Sequence, residues 1–257
     1  MKRSVSLCCC FLLLAVIGLS QTTTEVKRII GGTFVPLYGS TSEGVYIKTF
    51  LLDEYPVTNQ QFLAFVKKYP KWRKSKVLRL FADQNYLLKW ENDTTLGSNV
   101  SPQSAATTVS WYAAKDYCAC QGKRLPSIDE WEYAAMASET KKNAQADSIF
   151  NHKIIESYET PKTYRRNVGE NFKNYWGVYD LHGLVWEWTS DFNSVLISGE
   201  SRQDVDTERT LFCGSASINA SNLMDYAAFM RYAFRGSIKA NYGIQTLGFR
   251  CAKSIKK

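Results

Sequence analysis

Gly122-Lys123-Arg124-Leu125-Pro126-Ser127-Ile128-Asp129-Glu130-Trp131-Glu132-Tyr133-Ala134-Ala135 is the stretch whose reading decides the fold. Pro126 closes an extended lead-in, and Ser127 followed three residues later by Glu130 forms a capping box, so a helix starts here. Arg124, like Arg250 near the C-terminus, brings a planar fork of donors suited to a buried carboxylate such as Glu130, Glu132 or Glu187. Upstream, Ser110 caps a second helix running through Trp111-Tyr112-Ala113-Ala114 to Tyr117-Cys118. Further upstream, Pro56-Val57-Thr58-Asn59 ends a strand, and Thr58 or Asn59 caps a third helix with Phe62, Phe65 and Val66 at helical spacing. Ile29–Pro36 reads as a short strand broken by Gly31-Gly32, and Val45–Leu52 as a β-rich run. Residues 68–108 lack periodicity and read as an irregular surface excursion. From Asn167 onward the pattern reads as short strands and turns, punctuated by glycines at 177, 183, 199, 214, 236, 243 and 248. The expectation is an α+β domain with few helices on short twisted strands, joined by long loops.

Composition fits that expectation. At 257 residues the default is one domain, and 45% hydrophobic with 22% charged residues is ordinary for a globular chain. Aromatics reach 14%, with seven Trp, which suits a loop-rich fold packed by large side chains. The net charge of +8 is scattered, with short clusters at Lys67-Lys68 and Lys71–Lys76, and no nucleic-acid module accompanies it, so no nucleic-acid partner is expected. Lys2 and Arg3 precede an apolar run from Leu7 to Leu19 that is too short to span a bilayer comfortably, and Gly18-Leu19-Ser20 supplies small residues for cleavage. Residues 1–20 therefore read as a signal peptide and 21–257 as the mature domain. The expected location is periplasmic or secreted, without stable membrane insertion after cleavage. Of the seven cysteines, Cys118, Cys120, Cys213 and Cys251 remain in the mature chain, and four cysteines allow three pairings.

Four elements carry a family resemblance. Asp53–Asn59 with Phe62 and Phe65, Val109–Cys118 continuing into Gly122–Ala135, Gly177–Trp188, and Leu247–Cys251 occur in the order found in formylglycine-generating enzymes of the sulfatase-modifying factor superfamily. The resemblance implies a formylglycine-generating-enzyme fold, itself C-type-lectin-like. It implies a structural role for Arg124, Glu130, Trp131, Trp186, Glu187, Trp188 and Arg250, with Trp111, Trp131, Trp186 and Trp188 filling the core. It also implies a disulfide between Cys118 and Cys251.

The same resemblance marks a departure. The family's oxidases convert a protein cysteine to formylglycine with copper held by two cysteines that follow a GGSW-type motif. Here that motif is Cys213-Gly214-Ser215-Ala216, and no cysteine occurs between Gly214 and Arg250. A Cu(I) centre of that type needs two soft thiolates. A histidine-rich iron branch of the superfamily is excluded by the two histidines, His152 and His182. Cys120 and Cys213 are left as a second disulfide or as copper thiols, with Met224 or Met230 as further soft ligands. A family-type structural calcium site would draw on Asn167, Asn174, Asp180 and Glu187, since calcium takes hard oxygen donors. Tyr117–Pro126, Leu181–Trp188, Phe212-Cys213-Gly214 and Tyr226–Arg231 together resemble the NirV-type accessory proteins of copper nitrite reductase in denitrification. The expected function is a non-catalytic accessory or maturation factor for a copper nitrite reductase or another periplasmic protein. The alternatives are a formylglycine-generating-type oxidase and a lectin-like ligand-binding module.

Overall fold

A computed structural model describes residues 24–36, 44–193 and 223–255. Residues 1–20, expected to be a signal peptide, lie outside the described residues. Among those described, no helix is long and apolar enough to cross a membrane.

Two chain ends are stitched into one sheet. Strand β1 (Val26–Ile29) and strand β7 (Ala252–Ser254) both run antiparallel to a central β4 (Phe50–Asp53), in the order β1-β4-β7. Val26 faces Asp53 and Ile29 faces Phe50 on one side, while Leu52 faces Ala252 on the other. A hairpin of β2 (Gly32–Phe34) and β3 (Val45–Ile47) stands beside it. A short parallel pair joins β5 (Trp186–Glu187) to β6 (Leu247–Gly248).

The helices start where their caps dictate. Helix α1 (Asn59–Lys68) begins at Thr58, whose hydroxyl accepts from the Gln61 N–H while the Gln61 side chain accepts from the Thr58 N–H. Ser110 caps α2 (Trp111–Cys120), and Ser127 with Glu130 forms the capping box of α3 (Ile128–Ala135). Each such cap satisfies backbone donors that the first helical turn leaves orphaned. Residues 69–108 form turns and isolated bridges, with one 3₁₀ turn at Pro70–Trp72, but the segment is no mere surface excursion, since Trp72, Tyr86, Leu87 and Trp90 are buried in the larger core.

Two further helices depart from the sequence expectation. Asp147 caps α4 (Ser148–Glu159), in a stretch to which no element was assigned. The segment expected to be strands and turns contains α5 (Leu223–Ser237), which lies against α4. On α5 the buried residues Ala227, Ala228, Arg231, Tyr232 and Arg235 recur at helical spacing. Two of them are arginines, so the buried face carries little hydropathy contrast and its period is hidden from a reading of apolar residues.

The larger core is aromatic. Phe62 lies 5.9 Å from Phe249 in an edge-to-face contact and 5.9 Å from Tyr117, and Trp188 lies 5.0 Å from Phe192. Cys118 and Cys251 are joined by a disulfide inside this cluster, tying the end of α2 to the residue just before β7. A second core beneath the sheet packs Ile29, Phe50 and Leu52 against Trp131 and Ala134 of α3.

Candidate functional site: a buried arginine cluster beside a cavity

Glu132 is the hub. Its side of α3 is buried, and α5 presents Arg231 and Arg235, spaced i and i+4 on one helix face, to the same carboxylate. Arg231 donates from Nε to both Glu132 oxygens at 3.0 and 2.9 Å and from Nη2 at 2.7 Å. Its Nη1 donates to the Tyr158 hydroxyl of α4 at 3.0 Å. Arg235 donates from Nη1 to Glu132 Oε1 at 2.7 Å. The two guanidiniums outweigh the burial penalty and hold the Glu132 carboxyl down at about 2.

His182 completes the cluster. Its Nε2 lies 2.9 Å from the Ala135 carbonyl, an acceptor only, so Nε2 carries the proton and donates. Nδ1 is then the acceptor for the Tyr158 hydroxyl at 3.4 Å, giving a chain Arg231–Tyr158–His182. Burial and then the Arg231 charge push the imidazole down to about 3. Such a histidine stays neutral at physiological pH and is no general acid there.

This sets a pH dependence for stability. The unfolded chain takes up a proton near the ordinary value of 6.5, whereas folded His182 refuses it until about pH 3. Stability is therefore complete above about pH 6.5 and falls as pH drops through that window. Denaturant titrations at pH 7.5 and pH 5.0 are expected to differ by about 2 kcal/mol, from roughly one and a half pKa units at 1.36 kcal/mol each. Equal stabilities at the two pH values would show that His182 is not held neutral.

A second ion pair adjoins the first. Arg250 and Glu187 are wholly buried, with Arg250 Nε and Nη2 on the carboxylate at 2.7 to 3.0 Å. The rest of the Arg250 fork donates to the carbonyls of Asp53, Glu54 and Tyr179. Trp131 joins the two clusters: Nε1 donates to Glu187 at 2.8 Å, and its ring lies 4.9 Å from the Arg235 guanidinium. Arg124, by contrast, pairs with Glu130 near the surface, through two parallel bonds of 2.6 and 2.7 Å.

A cavity of about 260 Å³ opens beside these groups, walled by Trp131, Tyr158, Trp186, Phe234 and Arg235 and by the 159–163 loop. Trp186 stacks on Phe234 at 4.8 Å and lies 4.9 Å from Tyr158. Trp186 and Trp111 are only partly buried, so the expectation that all four motif tryptophans fill the core holds for Trp131 and Trp188 alone. Gly183, at φ +81°, turns the chain past the cavity; a Cβ there would come within 2.9 Å of that of Ser157.

The other expected site residues are placed as follows. Cys120 is exposed at the end of α2 and is the free cysteine among the described residues. Cys213 and the side chain of Met224 lie outside the described residues. The four expected calcium donors are each engaged inside the protein. Asn167 accepts from Ser101, Asn174 accepts from the Trp176 and Val178 N–H groups, Asp180 accepts from the Gly169 and Asn171 N–H groups, and Glu187 is held by Arg250 and Trp131. Burial pushes the Asp180 carboxyl up. Among the described residues no three His, Cys, Asp or Glu converge on one point. All four expected calcium donors thus hold partners within the protein, and a two-thiolate copper centre has one described free thiol to draw on.

Arg231, Arg235 and Tyr158 were missed as site residues. The available signal was the Arg-x-x-x-Arg spacing, which puts two cations on one helix face but does not name a buried partner for them.

Comparison with known proteins places this geometry. The sulfatase-modifying factor enzyme 1-like domain matches residues 18–255. The chain is 27% identical over 282 residues to the bovine (Bos taurus) protein named inactive C-alpha-formylglycine-generating enzyme 2, covering 92% of this chain and 90% of that one. It is 28% identical over 289 residues to the formylglycine-generating enzyme of Streptomyces coelicolor, covering 90% of each. The solved structure of PvdO from Pseudomonas aeruginosa superposes with a TM-score of 0.52 at 18% identity, covering 90% of this chain and 95% of that one.

Proposed function

Because this chain belongs to the sulfatase-modifying factor enzyme 1-like family and has the formylglycine-generating-enzyme fold, we propose that it is a non-oxidase member, an accessory protein that acts by binding a partner. The carrying observation is the placement of its thiols. Residues 214–250 contain no cysteine, and Cys251 is bonded to Cys118 in the core. A two-thiolate copper centre has no donors in that segment. The described titratable groups of the buried cluster are also committed: Glu132 is ionised between two arginines and His182 is held neutral. The bovine relative, whose name marks it as inactive, supports the same reading.

The partner to try first follows from the sequence resemblance to NirV-type proteins: a copper nitrite reductase in the periplasm, reached by export through residues 1–20. Two assays separate the parts of this proposal. With Cu(I), oxygen and a Cys-x-Pro-x-Arg peptide, mass spectrometry is expected to show the peptide cysteine unconverted; conversion with oxygen uptake would overturn the non-oxidase reading. Immobilised protein is expected to retain a copper nitrite reductase saturably, and failure to do so removes that partner alone.

A further inference from the structure

The arginine cluster carries one more positive charge than negative. Glu132 faces both Arg231 and Arg235, while His182 and Tyr158 are neutral. All three terminal nitrogens of Arg231 are used on Glu132 and Tyr158. Arg235, only 4% exposed, uses Nη1 on Glu132, and its Nε and Nη2 have no acceptor among the described residues. Asp191 feels the Arg235 charge but accepts from the Ile128 N–H at the start of α3 and makes no described ion pair with it. Neither nitrogen is among the described buried atoms that lack a partner, so water reaches both, and an anion that displaces it gains charge-assisted bonds.

Arg235 lines the 260 Å³ cavity, so the space next to those donors is open. The lining combines four aromatic side chains, Trp131, Tyr158, Trp186 and Phe234, with hydroxyl-bearing ones such as Ser157 and Thr163. Of the two carboxylates on the lining, Glu187 is consumed by Arg250 and Trp131, and Glu159 stands at the exposed rim, where Lys162 also lies. A small cavity with aromatic walls and one convergent cation has the make-up of a site for a fragment-sized molecule. We propose that this cavity binds a small organic carboxylate. Its two oxygens take Nε and Nη2 of Arg235 in the parallel geometry that a guanidinium fork favours, and its apolar or aromatic body lies against Trp186.

The test is calorimetric titration of the full mature protein with phenylacetate, with 2-phenylethanol as the uncharged counterpart. Phenylacetate is expected to saturate, and the alcohol to bind at least about tenfold more weakly, since it cannot meet the two donors with charge-assisted bonds. Arg235→Lys keeps the charge and loses the fork, and is expected to weaken phenylacetate binding by about tenfold while the alcohol is unaffected. Should that variant fail to fold, Lys162→Glu at the exposed rim replaces it and is expected to weaken the acid severalfold with an unchanged thermal midpoint. The proposal is overturned if the acid does not saturate, if acid and alcohol bind alike, or if acid binding is indifferent to the substitution in folded protein.

Discussion

Glu132→Gln is expected to lower the thermal midpoint by about 6–20 °C, because stripping the charge from a buried ionic partner costs about 3–5 kcal/mol and each kcal/mol shifts a domain of this size by about 2–4 °C. The cause is what the substitution leaves behind. Arg231 and Arg235 are both 4% exposed at the side chain, and Glu132 is the one carboxylate paired with either of them among the described residues. Two cations would then share a low-dielectric site with no anion, and Tyr158 and His182 offer dipoles but no charge. Glu130→Gln supplies the contrast. Its partner Arg124 keeps 39% of its side chain in solvent, so losing that pair is expected to cost less than about 1 kcal/mol. Replacing Glu132, Arg231 and Arg235 together by apolar residues of similar volume is expected to recover part of the loss, since the penalty lies in the unpaired charge more than in the missing bond. Thermal denaturation of the three variants side by side checks the order; equal losses for Glu132→Gln and Glu130→Gln would show that burial does not set the cost.

The second large effect is expected from the Cys118→Ala/Cys251→Ala double variant, at about 5 kcal/mol in the chain-entropy picture of a cross-link. The bridge spans 133 residues of sequence, so it removes a large share of the unfolded chain's freedom. It also lies among Phe62, Tyr117 and Phe249, wholly out of solvent, where the two alanines leave small voids. Cys120→Ser, two residues away on the exposed side of α2, is the control and is expected to change stability by less than about 0.5 kcal/mol. Urea titrations of both variants decide the matter: a double variant as stable as the parent would mean that the aromatic core alone holds β7 against β4.

How much of this was legible in the chain depends on how local each feature is. The starts of α1, α2 and α3 were readable because a cap and its partner lie within three residues, and Thr58, Ser110 and Ser127 each make the hydrogen bond their position suggests. Helix α5 was not, because its buried face carries two arginines: Arg231 and Arg235 look solvent-facing until Glu132, 99 and 103 residues earlier, is brought to them. The partners of the four expected calcium donors were not legible either. Asn167, Asn174, Asp180 and Glu187 have the right oxygen chemistry, but the fold brings each a backbone or side-chain donor, for Asn167 and Glu187 from more than 50 residues away.

The sequence by itself determined the family, the fold class and the absence of any cysteine between Gly214 and Arg250, since each depends only on which residues occur and in what order. Tertiary structure alone decided which arginine meets which carboxylate. Arg124 takes Glu130 at the surface, Arg250 takes Glu187 in the core, and Glu132 is left to two arginines that no local pattern assigns to it. Ion pairs in a low-dielectric interior are chosen by proximity after the chain has packed, and proximity across a hundred residues is not written in spacing. That pairing leaves Arg235, at the wall of a cavity, with two donors that have no acceptor among the described residues.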